Sequence, residues 1–182
     1  MYRLFGRFFS FLYRIYNKCV CSYQLSKIPH GNNCSIRGKG QFTGNITLGN
    51  DVTIGVDSIF LSTVAQLKIG NKVLFGPHVY IITGNHQINQ LGMYITDVNS
   101  KTEVFDADVV IEDDCWIGAG TIILKGVTIG RGSVIGAGSV VTKSTLPYSI
   151  NTGNPARQIK MRFTDEEIKE HERILYPNNL NT

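Results

Sequence analysis

Ile111-Glu-Asp-Asp-Cys-Trp116, Ile117-Gly-Ala-Gly-Thr-Ile122, Ile123-Leu-Lys-Gly-Val-Thr128, Ile129-Gly-Arg-Gly-Ser-Val134, Ile135-Gly-Ala-Gly-Ser-Val140 and Val141-Thr-Lys-Ser-Thr-Leu146 decide the fold. Each six opens on a bulky aliphatic residue. The fifth place holds Cys115, Thr121, Val127, Ser133, Ser139 or Thr145, all small or β-branched. A period of six matches neither the 3.6 of a helix nor the 2 of an exposed strand. It is the signature of a parallel β-helix, in which each short run forms one flat face and the chain coils upward. The leading aliphatics stack into an inner column, and the fifth residues are small because they share that narrow interior.

The same phase returns upstream. Ile69, Phe75 and Ile81 open three more sixes, and Leu48 and Ile54 open two that are out of step with Ile69 by three residues. The segment from Phe60 to Lys68 must therefore hold a small irregularity. Between Ile81 and Ile111 the repeat is lost, and His86–Asp108 forms a long excursion. Ile36 and Phe42 are weak, atypical first repeats, as the ends of solenoids tend to be.

The chain of 182 residues can bury one substantial core. It divides into a basic amphipathic segment (1–27), the β-helix (28–160, with the protruding loop at about 86–108) and a C-terminal helix and tail (161–182). The net charge of +4 is uneven: residues 1–27 carry five cations and no acid, against 13 basic and 14 acidic residues in the remainder. A nearly neutral body argues against a nucleic-acid-binding surface. The four cysteines, Cys19, Cys21, Cys34 and Cys115, form neither a CxxC pair nor a zinc spacing, and the scattered histidines give no metal set. No metal is expected.

In the N-terminal segment Leu4, Phe8, Leu12, Ile15 and Cys19 share one helical face, with Arg3, Arg7, Arg14 and Lys18 largely on another. The longest uncharged run near the start, Phe8 to Tyr13, is far too short to span a bilayer and is short for a signal-peptide core. Two roles suit such a helix, and they are compatible. It could cap the open end of the solenoid, or residues 1–20 could rest on an anionic lipid surface. At the other end, Gly153-Asn154-Pro155 marks a turn. Thr164 and Glu167 form a capping box for a helix running to about Leu175 and stopped by Pro177. That helix is expected to protect an edge of the coils.

Within the sequence, His86 is the side chain best suited to act as a base near neutral pH, because it stands at the root of the long loop. His78 sits at a coil corner, His171 on the C-terminal helix and His30 in the polar entry segment. Loop histidine, repeats and tail together resemble the hexapeptide-repeat acyltransferases, in the branch of galactoside, maltose, xenobiotic and polysaccharide O-acetyltransferases. The resemblance covers roughly residues 45–170. It rests on Thr83-Gly84-Asn85-His86, on Cys115-Trp116-Ile117-Gly118-Ala119, and on Gly136-Ala137-Gly138-Ser139-Val140-Val141-Thr142-Lys143 followed by Gly153-Asn154-Pro155-Ala156-Arg157.

The resemblance implies a left-handed β-helix assembled as a homotrimer, with active sites between subunits. It implies acetyl-CoA as acyl donor and His86 as general base toward a sugar hydroxyl, with a backbone N–H such as that of Ala119 stabilising the oxyanion. Trp116, Gly118, Ala119, Gly136, Ala137, Thr142, Lys143, Arg157 and Lys160 are the implied coenzyme contacts. Glycine and alanine there would leave backbone amides open to the pantetheine arm, and the cations would meet phosphates. Trp116 serves equally as apolar packing. The carboxylates near the loop, Asp97, Asp106 and Asp108, are the candidates for orienting His86.

The sequence departs from the small-sugar enzymes before the loop, where it reads Val56-Asp-Ser-Ile-Phe-Leu-Ser-Thr-Val-Ala-Gln-Leu67, and the loop lacks their His-Pro step. The expected activity is O-acetylation of a sugar in a surface polysaccharide or its lipid-linked precursor by a cytoplasmic protein, with the basic amphipathic helix motivating a peripheral place at the inner membrane face. The alternatives are a xenobiotic O-acetyltransferase, an N-acetyltransferase of a nucleotide-linked amino sugar, or a non-catalytic scaffold.

Overall fold

The computed structural model describes residues 2–98 and 105–176, with side chains from residue 9 onward. Leu4, Phe8, Arg3 and Arg7 thus lie outside the described side chains, and Pro177 outside the described residues. Helix α1 (Tyr2–Ser26) leads into a parallel β-helix, which ends in a hairpin of Ser149–Gly153 with Ala156–Met161 and in helix α2 (Asp165–Leu175).

The strand register reproduces the six-residue reading. On face one Ile36, Ile54, Phe75, Ile117 and Ile135 align from coil to coil, and on face two Phe42, Phe60, Ile81, Ile123 and Val141. Face three aligns Leu48, Ile69, Ile111 and Ile129. These residues make up most of the core, which is a narrow apolar shaft along the coil axis. Within it the Phe42 and Phe60 rings meet edge to face and the Phe60 and Phe75 rings at a tilt, with centroids 5.3 Å apart at each step. The first repeats, weak in sequence, complete a genuine first coil.

A flat face turns into the next only if the backbone bends sharply, and the structure does this with left-handed residues. One corner stacks Asn33, Asp51, Lys72, Asp114, Gly132 and Tyr148, all at positive φ; a second stacks Asp57, His78, Gly120 and Gly138. Asparagine and aspartate tolerate this region because their short polar side chains bond locally. At the first of these corners Asn50 N–H donates to Asn71 Oδ1 (2.9 Å) and Asn71 N–H to Asp113 Oδ1 (2.7 Å), tying coil to coil.

The small fifth-position residues do more than fit. Ser58, Thr121 and Ser139 are fully buried, and their hydroxyls donate to the carbonyls of Gly55 (3.0 Å), Gly118 (2.8 Å) and Gly136 (2.6 Å) three residues back. Each such bond satisfies a corner carbonyl without water, which a buried polar group requires.

Both interruptions of the repeat leave from the third corner. The first is the expected irregularity: Gly44 pairs with Ser62 but Asn45 with Gln66, so Thr63, Val64 and Ala65 bulge outward. Asn45 Nδ2 donates to the Val64 carbonyl (3.0 Å) and the Gln66 N–H to Asp108 (2.8 Å), fixing the bulge. The second is the long loop, one coil later.

At the far end the closing hairpin takes the edge that α2 was expected to cover. Ser149–Gly153 would leave a row of unpaired backbone groups, and the antiparallel Ala156–Met161 strand satisfies them with its own ladder. A helix could not, because its backbone groups are already paired. Instead α2 lies over the Asp114 corner. Its N-terminus carries the expected capping box, with Thr164 and Glu167 exchanging bonds of 2.8 and 3.3 Å. Arg162 donates to Asp114 (2.7 Å), and the Tyr148 hydroxyl to Glu172 (3.1 Å), docking the helix on the last coils. Burial, with the nearby Glu172 carboxylate, pushes the Tyr148 hydroxyl up to about 12.

Candidate active site

The loop begins where Thr83 ends face two. Thr83 accepts from Ala107 N–H (2.9 Å), and Asn85 N–H donates to Phe105 (3.1 Å), so the loop's exit and return form a two-stranded neck with Gly84 opposite Asp106. This bonding pattern makes Gly84 and Asp106 a close, non-hydrogen-bonded pair. The Asp106 carboxylate lies directly over the Gly84 Cα, in space that any side chain at position 84 would take. Lys125, on the coil above, donates to the Phe105 carbonyl (2.6 Å) with its ammonium 6.0 Å from that ring's centre. Sequence reasoning overlooked Lys125, whose partner lies 20 residues away in an aperiodic segment.

His86 leaves this neck two residues beyond Gly84, exposed, and makes no hydrogen bond or ion pair among the described residues. It follows directly on Asn85, whose bond to Phe105 is the last of the neck among the described residues. Of the three candidate carboxylates, Asp108 is engaged by Gln66 N–H (2.8 Å) and Asp97 accepts from the Thr96 hydroxyl (3.2 Å) in the turn Ile95–Asp97. Asp106 is the one beside the neck.

The implied coenzyme residues fall into two groups. Trp116 faces outward on face one, 54% exposed, beside Leu74. Gly118, Ala119, Gly136 and Ala137 form the second corner, above His78. Here the structure changes the reason for glycine. A Cβ on Gly118 would sit 2.5 Å from Ala137 N and 2.7 Å from the Ile135 carbonyl oxygen, so its missing side chain lets successive coils stack. The accessible groups are those of the next residues. The N–H groups of Ala119 and Ala137 donate to nothing among the described residues, and both residues are partly or fully exposed.

Thr142 and Lys143 are exposed on the third corner of the last coil. Lys143 and Arg157, 14 positions apart, line one cavity of about 250 Å³ together with Ser144, Asn151 and Gln158. Lys160 lies on the same strand as Arg157 but does not line this cavity. Within one chain the Ala119 corner and the root of the loop stand at opposite ends of face two, about 16 Å apart at roughly 3.3 Å per residue. A thioester cannot touch His86 and the Ala119 amide of the same corner-to-corner face at once. Among the described residues no cluster of His, Cys, Asp or Glu could hold a metal ion.

Residues 108–143 match the family described as bacterial transferase hexapeptide (six repeats). A hexapeptide-repeat containing acetyltransferase of Vibrio cholerae O1 biovar eltor, solved in complex with acetyl coenzyme A, superposes with a TM-score of 0.64 at 31% identity, covering 74% of this chain and 71% of that one. This chain belongs to the hexapeptide-repeat transferases. Its fold is accordingly their left-handed β-helix. A galactoside O-acetyltransferase of Lactococcus lactis subsp. lactis is 33% identical over 78% of this chain and 66% of its own length. A probable macrolide acetyltransferase of Lysinibacillus sphaericus is 37% identical over 56% of this chain and 66% of its own. The chain spans 53% to 66% of the length of the first curated relatives it matches. Among the described residues no helix is long and apolar enough to cross a membrane.

Proposed function

We propose that this hexapeptide-repeat transferase is an acetyl-CoA-dependent O-acetyltransferase whose acceptor is a sugar hydroxyl, in a surface polysaccharide or its lipid-linked precursor. The observation that carries it is the meeting of Lys143 and Arg157 at one cavity of the last coil, together with Ala119 and Ala137 amides at the second corner that donate to nothing among the described residues. Two cations suit coenzyme phosphates, and unpaired amides suit the carbonyls of a pantetheine arm. The likeness to an acetyltransferase solved with acetyl-CoA supports the same reading.

His86 takes the proton of the acceptor hydroxyl as its oxygen attacks the thioester carbon. The Ala119 N–H donates to the carbonyl oxygen as it gains charge. The carbon–sulfur bond then breaks, and His86 returns the proton to the departing thiolate. Asp106 is the positioning carboxylate for the imidazole. Because the loop root and the Ala119 corner are a face apart, His86 of one copy serves the corner of another, and the enzyme acts as a homotrimer. It works in the cytoplasm, with residues 1–20 in contact with the inner face of the membrane where lipid-linked acceptors reside. A macrolide hydroxyl is the second reading, supported by the Lysinibacillus relative.

The test is acetyl transfer to galactosides, lipid-linked oligosaccharides and macrolides by wild type, His86→Ala and His78→Ala. Loss of His86 should lower kcat by about 10²–10⁴ while leaving coenzyme affinity unchanged. Loss of His78, which stands on the Ala119 corner, should leave turnover near wild type. An active His86→Ala enzyme refutes the proposed base.

A further inference from the structure

Helix α1 meets the coils through the side opposite its apolar stripe. At 100° per residue, Asn17, Cys21, Gln24 and Leu25 share one side. That side docks. Gln24 donates to the Gly40 carbonyl (2.5 Å) and accepts from the Gly40 N–H (3.3 Å). Cys21 and Leu25 pack on the core of the first coil, just ahead of buried Ile28. These last turns therefore cap the solenoid, one of the two roles the sequence left open.

The stripe formed by Leu12, Ile15, Tyr16, Cys19 and Tyr23 follows the i, i+3, i+4, i+7, i+11 spacing and points away from the coils. Leu12 is 43%, Ile15 46%, Tyr16 63% and Tyr23 64% exposed. Lys18 stands between the stripe and the docked side, where it also lines the groove against Cys34 and Arg37, and the Lys27 ammonium sits 5.0 Å from the centre of the Tyr23 ring, at the stripe's lower end. Both lysines are exposed. Large aliphatic and aromatic side chains facing water in a contiguous line cost solvation free energy, which a partner surface recovers.

We propose that this outward stripe of α1 binds an anionic lipid surface, with the β-helix held rigidly beneath it by the Gln24–Gly40 pair. Charge complementarity selects the occupant. Residues 1–27 contain five cations and no acid, so the helix is attracted to a negatively charged sheet of headgroups. Leucine and isoleucine enter the acyl boundary, while tyrosines keep their hydroxyls at the headgroup level. Because the helix is bonded to the coil at its base, it sets the distance and tilt of the β-helix relative to the lipid, where a flexible tether would not. The proposal adds a defined surface to the membrane contact in the functional reading, and it does not depend on His86 or on the acceptor.

The experiment is co-sedimentation of the full chain with vesicles of mixed phosphatidylcholine and phosphatidylglycerol, and with vesicles of phosphatidylcholine alone. The wild type should bind the mixed vesicles, more weakly at high salt and on phosphatidylcholine alone. Lys18→Gln with Lys27→Gln should weaken binding on the order of 30-fold, since each cation near such a surface contributes about 1 kcal/mol. Leu12→Gln with Tyr16→Gln should weaken it by about tenfold or more by removing apolar burial. Light scattering should give both variants the mass of the wild type. Absence of vesicle binding by the wild type, or binding untouched by both double variants, overturns the proposal. So does a lower mass for Leu12→Gln with Tyr16→Gln, which would make the stripe an interface between copies. Acetyl transfer is not read at any step, so this result and that of the His86 test stand apart.

Discussion

Replacing Gly118 by alanine should destabilise the protein more than the same change at Gly138, although both glycines lie at the same corner. At Gly118 the added methyl would meet Ala137 N at 2.5 Å, the Ile135 oxygen at 2.7 Å and Gly136 C at 2.8 Å. All three are backbone atoms of the next coil, so no rotamer change relieves them. The coils must separate, lengthening the Gly118 N–H bond to Ile135, now 2.8 Å. Overpacking of this kind costs about 1–3 kcal/mol, and a weakened buried hydrogen bond about 1 kcal/mol more. The stiffer unfolded chain offsets roughly 0.4–1 kcal/mol. The net is about 2 kcal/mol, or roughly 4–8 °C in Tm for a chain of this size.

At Gly138 nothing lies within 4 Å of an added methyl, and only the positive φ of 69° opposes it. That strain is about 1–2 kcal/mol, partly offset by the same entropy gain, leaving about 1 kcal/mol and roughly 2–4 °C. Thermal melts followed by circular dichroism, at matched protein concentration, compare the two. A Gly118→Ala protein melting within about 2 °C of wild type would refute the stacking argument. So would a Gly138→Ala protein less stable than Gly118→Ala.

Two further predictions follow from the neck of the loop and from the core. Asp106→Asn should lower kcat while leaving the KM for acetyl-CoA unchanged, because Asp106 is assigned to hold the imidazole and not the coenzyme; unchanged kcat would mean that Asp106 only shapes the neck. Burial pushes the Cys115 thiol up to about 12. An unfolded thiol ionises from about 8.5, so the stability this group provides is complete below that pH and is lost as pH rises toward 12. Urea midpoints at pH 7 and pH 10 should show wild type losing about 1–2 kcal/mol more than Cys115→Ala over that interval, and equal losses would contradict it.

The shaft of the fold was legible because its periodicity is local. Ile111 to Val141 repeat without interruption, and the three-residue phase slip between Ile54 and Ile69 correctly announced the bulge at 63–65. The capping box at Thr164 was equally local. What escaped the sequence depends on neighbours a full coil away. Gly118 reads as open space until Ala137 is seen against it, and Lys125 reads as a solvated charge until Phe105 returns to meet it. The orientation of α1 escaped for a different reason. An apolar helical stripe is normally taken to face the protein, yet Gln24 and Cys21 hold the opposite side inward. The separation of His86 from the Ala119 corner needed the faces themselves.

Calorimetric titration of acetyl-CoA into the purified protein tests the central claim most directly. The account predicts saturable binding with one site per chain, weakened at least tenfold by Lys143→Glu with Arg157→Glu, since two charge-assisted contacts become repulsions worth more than about 1.4 kcal/mol together. A folded wild-type protein that takes up no acetyl-CoA would contradict the account and leave the β-helix as a scaffold.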